Sequence, residues 1–401
     1  MDVLAVAPYA PYEGIPHAGG EYLLRHLHAL SRHGRVTLLV PGSSDVLASR
    51  SRTPAWLDLA VAPLDLATRS VVRTLCDAAY RRLMAAPPMP TAETLRAVRR
   101  GGLLERARRA DVVELHWPEF ARFAGELRSA GVRTPVCVVE HDVDVRDARK
   151  RLGARVTGYR RALGVLTSPL PRRRELAGLR AADLILVFKG ADEALLREQG
   201  VATAVQVIAP WLDPPLAADR VAGSVLFTGA MWRPENDTGA RWFLREVWPL
   251  VRAQIPSSTL VLAGAGPTRE LVAAAERAEG VEVTGAVPSL LPMYARASVF
   301  VAPLFAGGGL KFKVPQAMLC GLPVVGTSVA LEGVSEQAPQ GVLWGETNLP
   351  GQMAKLVLSA LQRPDEAAAV GRSAADWCAG RWSFDRSMTS VVEAYRGLAG
   401  S

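Results

Sequence analysis

An α/β architecture of two doubly wound halves is the fold the sequence predicts, and three observations predict it. Short apolar strands alternate with amphipathic stretches from the first residues to beyond residue 320. Glycine-rich turns follow several of those strands, and a proline-rich change of composition divides the alternation in two. Strand, helix and parallel strand in succession require right-handed crossovers, which place helices on both faces of each sheet. Ligands of such sheets bind outside the carboxyl ends of the strands, where the strand order reverses.

The totals agree with that class and exclude others. A chain of 401 residues with 49% hydrophobic content supports two domains of ordinary size. A net charge of +8 admits nucleic acid, membrane phosphates or a polyanionic substrate such as a nucleotide diphosphate. The four cysteines are scattered without metal-type pairing, which points to a reducing compartment and away from a disulfide framework or a zinc site. The start, MDVLAVAPYAPYEG, lacks a basic n-region, and no window reaches about 18 uninterrupted apolar residues. The expectation is a cytoplasmic protein, with peripheral attachment to a membrane as the variant.

In order, Asp2 to Ala7 reads as a buried strand, followed by a loop ending in Gly19-Gly20. Leu23, Leu24, Leu27 and Leu30 fall at helical spacing, and VTLLV from Val36 gives the second strand. Residues 43–100 are harder to read, with helical patches and a Pro-rich break, AAPPMP. Strands ADVVEL and PVCVVE follow, the second running into His141-Asp142. Asp142 and Asp144 alternate along an extended segment, a poor arrangement for a carboxylate pair. From Arg146 to Arg180 eleven Arg or Lys face two acids. This basic run reads as a solvated helical face, an anionic acceptor or headgroup site, or, least favoured for want of interleaved aromatics, a nucleic-acid surface. The boundaries expected are 1–213 for the first domain, 214–375 for the second, and 376–401 for a terminal helix packing back on the first.

In the second half, a strand at Val225, one long helix from about Thr238 to Gln254, strand STLVLA with the turn GAGP, and strand Val281 to Thr284 lead to VFVAPLFAGGGLKFKVPQAMLCGLPVVGT. Here a strand, a triple-glycine turn (Gly307, Gly308, Gly309) and a helix start make an anion site. Glycine lets the backbone approach, and the first helical N–H groups have no internal partner. Lys311 and Lys313 suit a diphosphate; an ordinary turn with solvated lysines is the plain alternative.

The run GGGLKFKVPQAMLCGLPVVGT resembles the donor-site signature of family 4 glycosyltransferases, retaining enzymes of the GT-B fold. Six more segments match in the family's order: Gly19-Gly20, VVEHDVD, AADLILV, FTGAMWRPEND, LAGAGP and VTGAVPSLLPMY. The resemblance implies two Rossmann-like domains facing across a cleft, and transfer of a sugar from a nucleotide-sugar donor without metal or other cofactor. It implies a carbohydrate, lipid-linked or small-molecule acceptor and no nucleic acid partner. Donor contacts fall on Gly308, Gly309, Leu310, Lys311 and Lys313, with Val287 along the base and Gln316 at the ribose. His141 would hydrogen-bond the sugar or reacting groups; its plain alternative is a histidine satisfied by neighbouring carbonyls. Gly19 and Gly20 would approach phosphate or acceptor, or simply turn the chain. His17, His26, His28 and His33 read as a solvated helix region, and His116 as either acceptor loop or structure.

Two departures stand out. The family's paired glutamates fall on Gly308 and Gln316, and its Arg and Lys at the opening of the second domain fall on Ala230 and Asn236, with Arg233 near enough to replace a charge. Two other readings therefore stay open: a nucleotide-sugar epimerase on the same architecture, and a binding homologue with altered glycosyl chemistry.

Overall fold

The computed structural model describes residues 1–15, 18–64, 92–141 and 169–400. The chain divides into two compact units, one of residues 1–15, 19–209 and 384–401, the other of 16–18 and 210–383. The expected AAPPMP break, His17, Asp142, Asp144 and the basic run up to residue 168 lie outside the described residues.

The first unit is built on seven parallel strands in the order β3-β2-β1-β4-β5-β6-β7. These are β1 (Val3–Val6), β2 (Val36–Pro41), β3 (Asp58–Ala62), β4 (Val112–His116), β5 (Val136–Glu140), β6 (Leu184–Val187) and β7 (Ala204–Val207). Every residue of β1, β4 and β5 is buried, as continuous apolar runs must be when helices cover both faces. Register fixes the order: Val3 pairs with Val36 on one side and Val112 on the other. Helices Pro118–Ser129 and Pro169–Ala181 pack closely, because a Cβ on Gly178 would lie 2.3 Å from the Ala121 carbonyl oxygen. The last helix, Phe384–Ala399, belongs to this unit, with Ser387 and Ser390 bonded to the Ala209 amide and the Gln206 side chain at 3.0 Å each.

Six parallel strands in the order β10-β9-β8-β11-β12-β13 form the second sheet. They are β8 (Ser224–Thr228), β9 (Thr259–Ala263), β10 (Val281–Gly285), β11 (Val299–Ala302), β12 (Val324–Gly326) and β13 (Gly345–Glu346). Arg220 fastens the incoming segment by donating to the carbonyls of Tyr294, Ala295, Ala297 and Cys320. The one long helix expected to end at Gln254 is two, Pro234–Glu246 and Trp248–Gln254. Pro249 explains the break: it lacks an N–H and is tolerated only in a first turn. The edge strand β3 is a second difference, for its residues are only partly buried until Ala62 and so carry no strong apolar signal.

Candidate functional site

Both sheets reverse their strand order beside the strand that opens each unit: between β8 and β11 in the second, and between β1 and β4 in the first. That reversal opens a crevice at the carboxyl edge, since the connections on either side turn away from each other.

In the second unit the crevice is glycine-lined. Gly307 at φ 110° and Gly309 at φ 65° adopt left-handed conformations that a side chain would strain. Beyond them the helix is Lys313–Leu319, one turn shorter than three full turns would need. The loops after β8, β9 and β10 are laced by backbone bonds from Gly229 to Ala263 (3.0 Å), Met231 to Ala265 (2.8 Å) and Gly264 to Gly285 (3.2 Å). Gly264, at φ 139°, sits so close that an added Cβ would lie 1.9 Å from the Gly229 oxygen.

Four of the expected donor residues converge here. The Lys313 ammonium donates to the Asn236 Oδ1 at 2.6 Å and lies 4.7 Å from the centre of the Phe227 ring. Asn236 in turn donates to the Ala230 carbonyl at 2.8 Å. Burial lowers the Lys313 pKa to about 7; Glu235 pulls it back up, while Arg233 and Lys311 push it further down. Arg233 pairs with Glu235 at 2.9 Å. Lys311 turns inward, donating to the carbonyls of Gly309 at 2.9 Å and Gly307 at 3.2 Å, so one lysine braces the glycine turn and the other faces the crevice floor. A cation with a depressed pKa on a rigid glycine frame can stabilise an anion strongly, because the anion restores the charge that burial opposes.

Gln316 is placed differently from its expected partners. Its amide accepts from the Asp213 N–H at 2.8 Å and donates to the Asp213 carbonyl at 2.9 Å, clamping the segment that enters the second unit. Val287 is partly buried in the loop after β10, and Gly308 and Leu310 lie in the glycine turn and just beyond it. Trp232, which sequence reasoning left unassigned, is 51% exposed at the same edge, against Gly266.

The first unit's crevice holds a buried polar chain instead. Glu114, in the middle of β4 and inaccessible to solvent, accepts from His26 Nε2 at 2.6 Å, from His116 Nε2 at 2.9 Å and from the Tyr395 hydroxyl. Tyr22 Oη and His26 Nδ1 are 3.1 Å apart, and His116 Nδ1 and His141 Nε2 3.3 Å apart. Burial alone would raise the Glu114 pKa, but the two imidazoles that bond it hold it well below the usual carboxylate range. Burial lowers the His116 pKa against the pull of Glu114, which favours the neutral ring. Burial, with the Glu114 charge second, keeps Tyr22 and Tyr395 protonated.

His141 follows β5 and stacks on Trp117, ring centres 3.8 Å apart and planes 4° from parallel. Trp117 itself sits at φ 71°, alone among the described non-glycine residues in having positive φ. Gly19 and Gly20 are corrected by the structure: they form the first turn of the helix Ala18–Ser31 rather than a loop. Glycine is tolerated better at a helix N-terminus than in its interior, so the pair does not prevent the helix from starting there. His26 is a second correction. It is fully buried, not solvated, because it shares the inward helix face with Tyr22 and Leu23; His33 alone of the described group is exposed, while His28 packs 5.0 Å from Trp56. His116 likewise belongs to the buried interior.

His26, Glu114 and His116 bring their ligand atoms within 4.8 Å of one another, a composition suited to a metal ion. Direct hydrogen bonds between these atoms already satisfy all three side chains. Of the basic run, helix Pro169–Ala181 is described and exposes Arg173, Arg174 and Arg180. Among the described residues no helix is long and apolar enough to cross a membrane.

Comparison with known proteins finds likenesses in the second unit and in the fold. Residues 222–363 match the model described as "Glycosyl transferases group 1". A 117-residue stretch is 32% identical to an uncharacterized 44.6 kDa protein in the cps region of Klebsiella pneumoniae, covering 27% of this chain and 30% of that one. The fold is shared with sucrose-phosphate synthase from Thermosynechococcus elongatus at TM-score 0.71, 19% identity and full coverage of both chains. It is also shared with HepE of Anabaena, solved with UDP, at TM-score 0.65, 14% identity and coverage of 99% of this chain and 100% of the other.

Proposed function

From a second unit that matches the glycosyltransferase group 1 family, we propose that this chain transfers a sugar from a nucleoside-diphosphate donor to an acceptor hydroxyl. Uridine diphosphate sugars are the first donors to test, because HepE, which shares the fold, was solved with UDP. The observation that carries the reading is the Lys313 ammonium, held by Asn236 at 2.6 Å on a glycine frame where the second sheet reverses. As the donor's glycosidic bond breaks, negative charge grows on the departing diphosphate. Lys313, Arg233 and the backbone from Gly308 to Leu310 meet that charge with preorganised donors, so the proposed chemistry needs no metal and no cofactor besides the donor. Configuration is retained in this reading, and His141 is proposed as a hydrogen-bond partner of the sugar or the reacting groups. A glycan, a lipid-linked saccharide or a small molecule serves as acceptor.

Incubating the chain with UDP-sugars, with and without acceptor hydroxyls and with chelator throughout, tests this directly. Free nucleoside diphosphate released only with acceptor supports transfer, and the anomeric signal of the product reads the stereochemistry. An isomerised sugar formed without acceptor would make the chain an epimerase. Tight binding with no product would make it a binding homologue, a reading favoured by the commitment of the Gln316 amide to Asp213.

A further inference from the structure

The polar chain in the first unit has a direction set by one charge. Glu114 is a carboxylate with no solvent access, so it accepts only, and both imidazoles bonded to it must present N–H. His26 therefore carries a proton on Nε2, and its Nδ1 lies 3.1 Å from the Tyr22 hydroxyl. The His116 proton is likewise on Nε2, so its Nδ1 carries a lone pair. That lone pair faces His141 Nε2 at 3.3 Å, and a neutral His141 can meet it only with Nε2–H. Each tautomer follows from the one before it, and the last lies at the carboxyl edge of β5.

We propose that Glu114 is a positioning residue for His141: acting through His116, it holds His141 as the Nε2–H tautomer, which makes Nδ1 the ring's acceptor atom. Two further observations fit. His141 cannot rotate freely to exchange its nitrogens, because its ring lies flat on Trp117 at 3.8 Å. Trp117 makes that stack from a left-handed backbone conformation, which costs about 1–3 kcal/mol and persists only where surrounding contacts enforce it. Tyr395, on the last helix, donates the third hydrogen bond to Glu114, so the chain's end contributes to the same arrangement. Removal of Glu114 or His116 should act on the orientation and basicity of His141, not on donor binding in the second unit.

A role of His141 toward substrate rests on the transferase reading, whereas the tautomers do not, and the experiment separates the two. Long-range 1H–15N spectra of the full chain with ring-labelled histidine, at pH 7.5, report which nitrogen carries each proton. With six histidines in the chain, single substitutions assign the signals. The expected result is Nε2–H for His26, His116 and His141 in the unmodified protein; a His141 found as Nδ1–H, or as a mixture, overturns the proposal without any variant. In His116→Phe, His141 should become a tautomer mixture, and an unchanged His141 signal would contradict the relay. Where transferase turnover is measurable, Glu114→Gln and His116→Phe should lower kcat about ten- to a hundredfold, the range for loss of a partner that orients an imidazole, with donor KM unchanged. An unchanged kcat in both variants overturns the role toward substrate. A chain that shows the tautomers but turns over no nucleotide sugar overturns the transferase reading and supports the assignment of Glu114.

Discussion

Two sheets of like topology place opposite charges at the point where their strand order reverses. In the second unit it is a cation, Lys313, on a floor of glycine with one side-chain partner, Asn236. In the first it is an anion, Glu114, surrounded by three donors, one on its own strand β4 and two on helices. The cation is kept short of compensation, and the anion has all it needs. That difference separates a charge waiting for a ligand from a charge that organises its neighbours.

The comparison breaks most sharply under removal of each charge. Lys313→Ala should lower the transfer rate roughly a hundredfold or more, about 3 kcal/mol of barrier, as loss of one preorganised donor to a developing anion does. Stability should move the other way. The folded pKa of about 7 lies below the unfolded value, so the unfolded chain binds more protons between the two, and the ionised lysine destabilises the fold most at pH 7 and below. Lys313→Met should therefore melt higher than the parent at pH 6, with the gain shrinking toward pH 10. Glu114→Ala, by contrast, strands three buried donors and should cost roughly 3–5 kcal/mol in chemical denaturation. Equal stability losses in the two variants would erase the distinction drawn between the units.

Most of the fold could be read from the chain because parallel strands buried on both faces are apolar runs. VLAV, VVELH and VCVVE announce themselves, as does the glycine turn before Lys311. The cluster around Lys313 was legible too, since Arg233 and Asn236 follow β8 and Lys311 and Lys313 follow β11, each pair in one short segment. The polar chain was not. Its bonds join His26 to Glu114 across 88 residues and Tyr395 to Glu114 across 281, separations to which local periodicity is blind. One clue was available: a glutamate inside an otherwise apolar strand has to find donors. The commitment of Gln316 to the Asp213 backbone was equally hidden, because nothing in the motif says where the incoming segment lies.

Smaller substitutions sharpen the picture. Gly229→Ala would bring a Cβ to 2.5 Å from the Lys313 ammonium and 2.9 Å from the Asn236 amide nitrogen. Because the lysine end can shift, the fold should survive while nucleoside diphosphate affinity falls about tenfold, roughly 1.4 kcal/mol by calorimetry. Gln316→Ala should cost about 1–2 kcal/mol of stability through the lost clamp on Asp213. If donor affinity then drops with no loss of stability, Gln316 contacts the nucleotide after all and the clamp is incidental.

In the proposed function Lys313 gives its charge to a bound diphosphate, and proton uptake measures that charge. Titration of UDP at pH 8.5, in two buffers of different ionisation enthalpy, reads it while the nucleotide's own phosphates are already ionised. Ligand-free Lys313, with its pKa lowered to about 7, is mostly neutral at that pH, and the bound anion should restore its proton. Uptake close to one proton per UDP bound is expected, with an affinity that weakens about tenfold per pH unit between roughly pH 7.5 and 9, and neither effect in Lys313→Met. UDP binding of undiminished strength in Lys313→Met, or binding in the parent with no proton taken up, would contradict it.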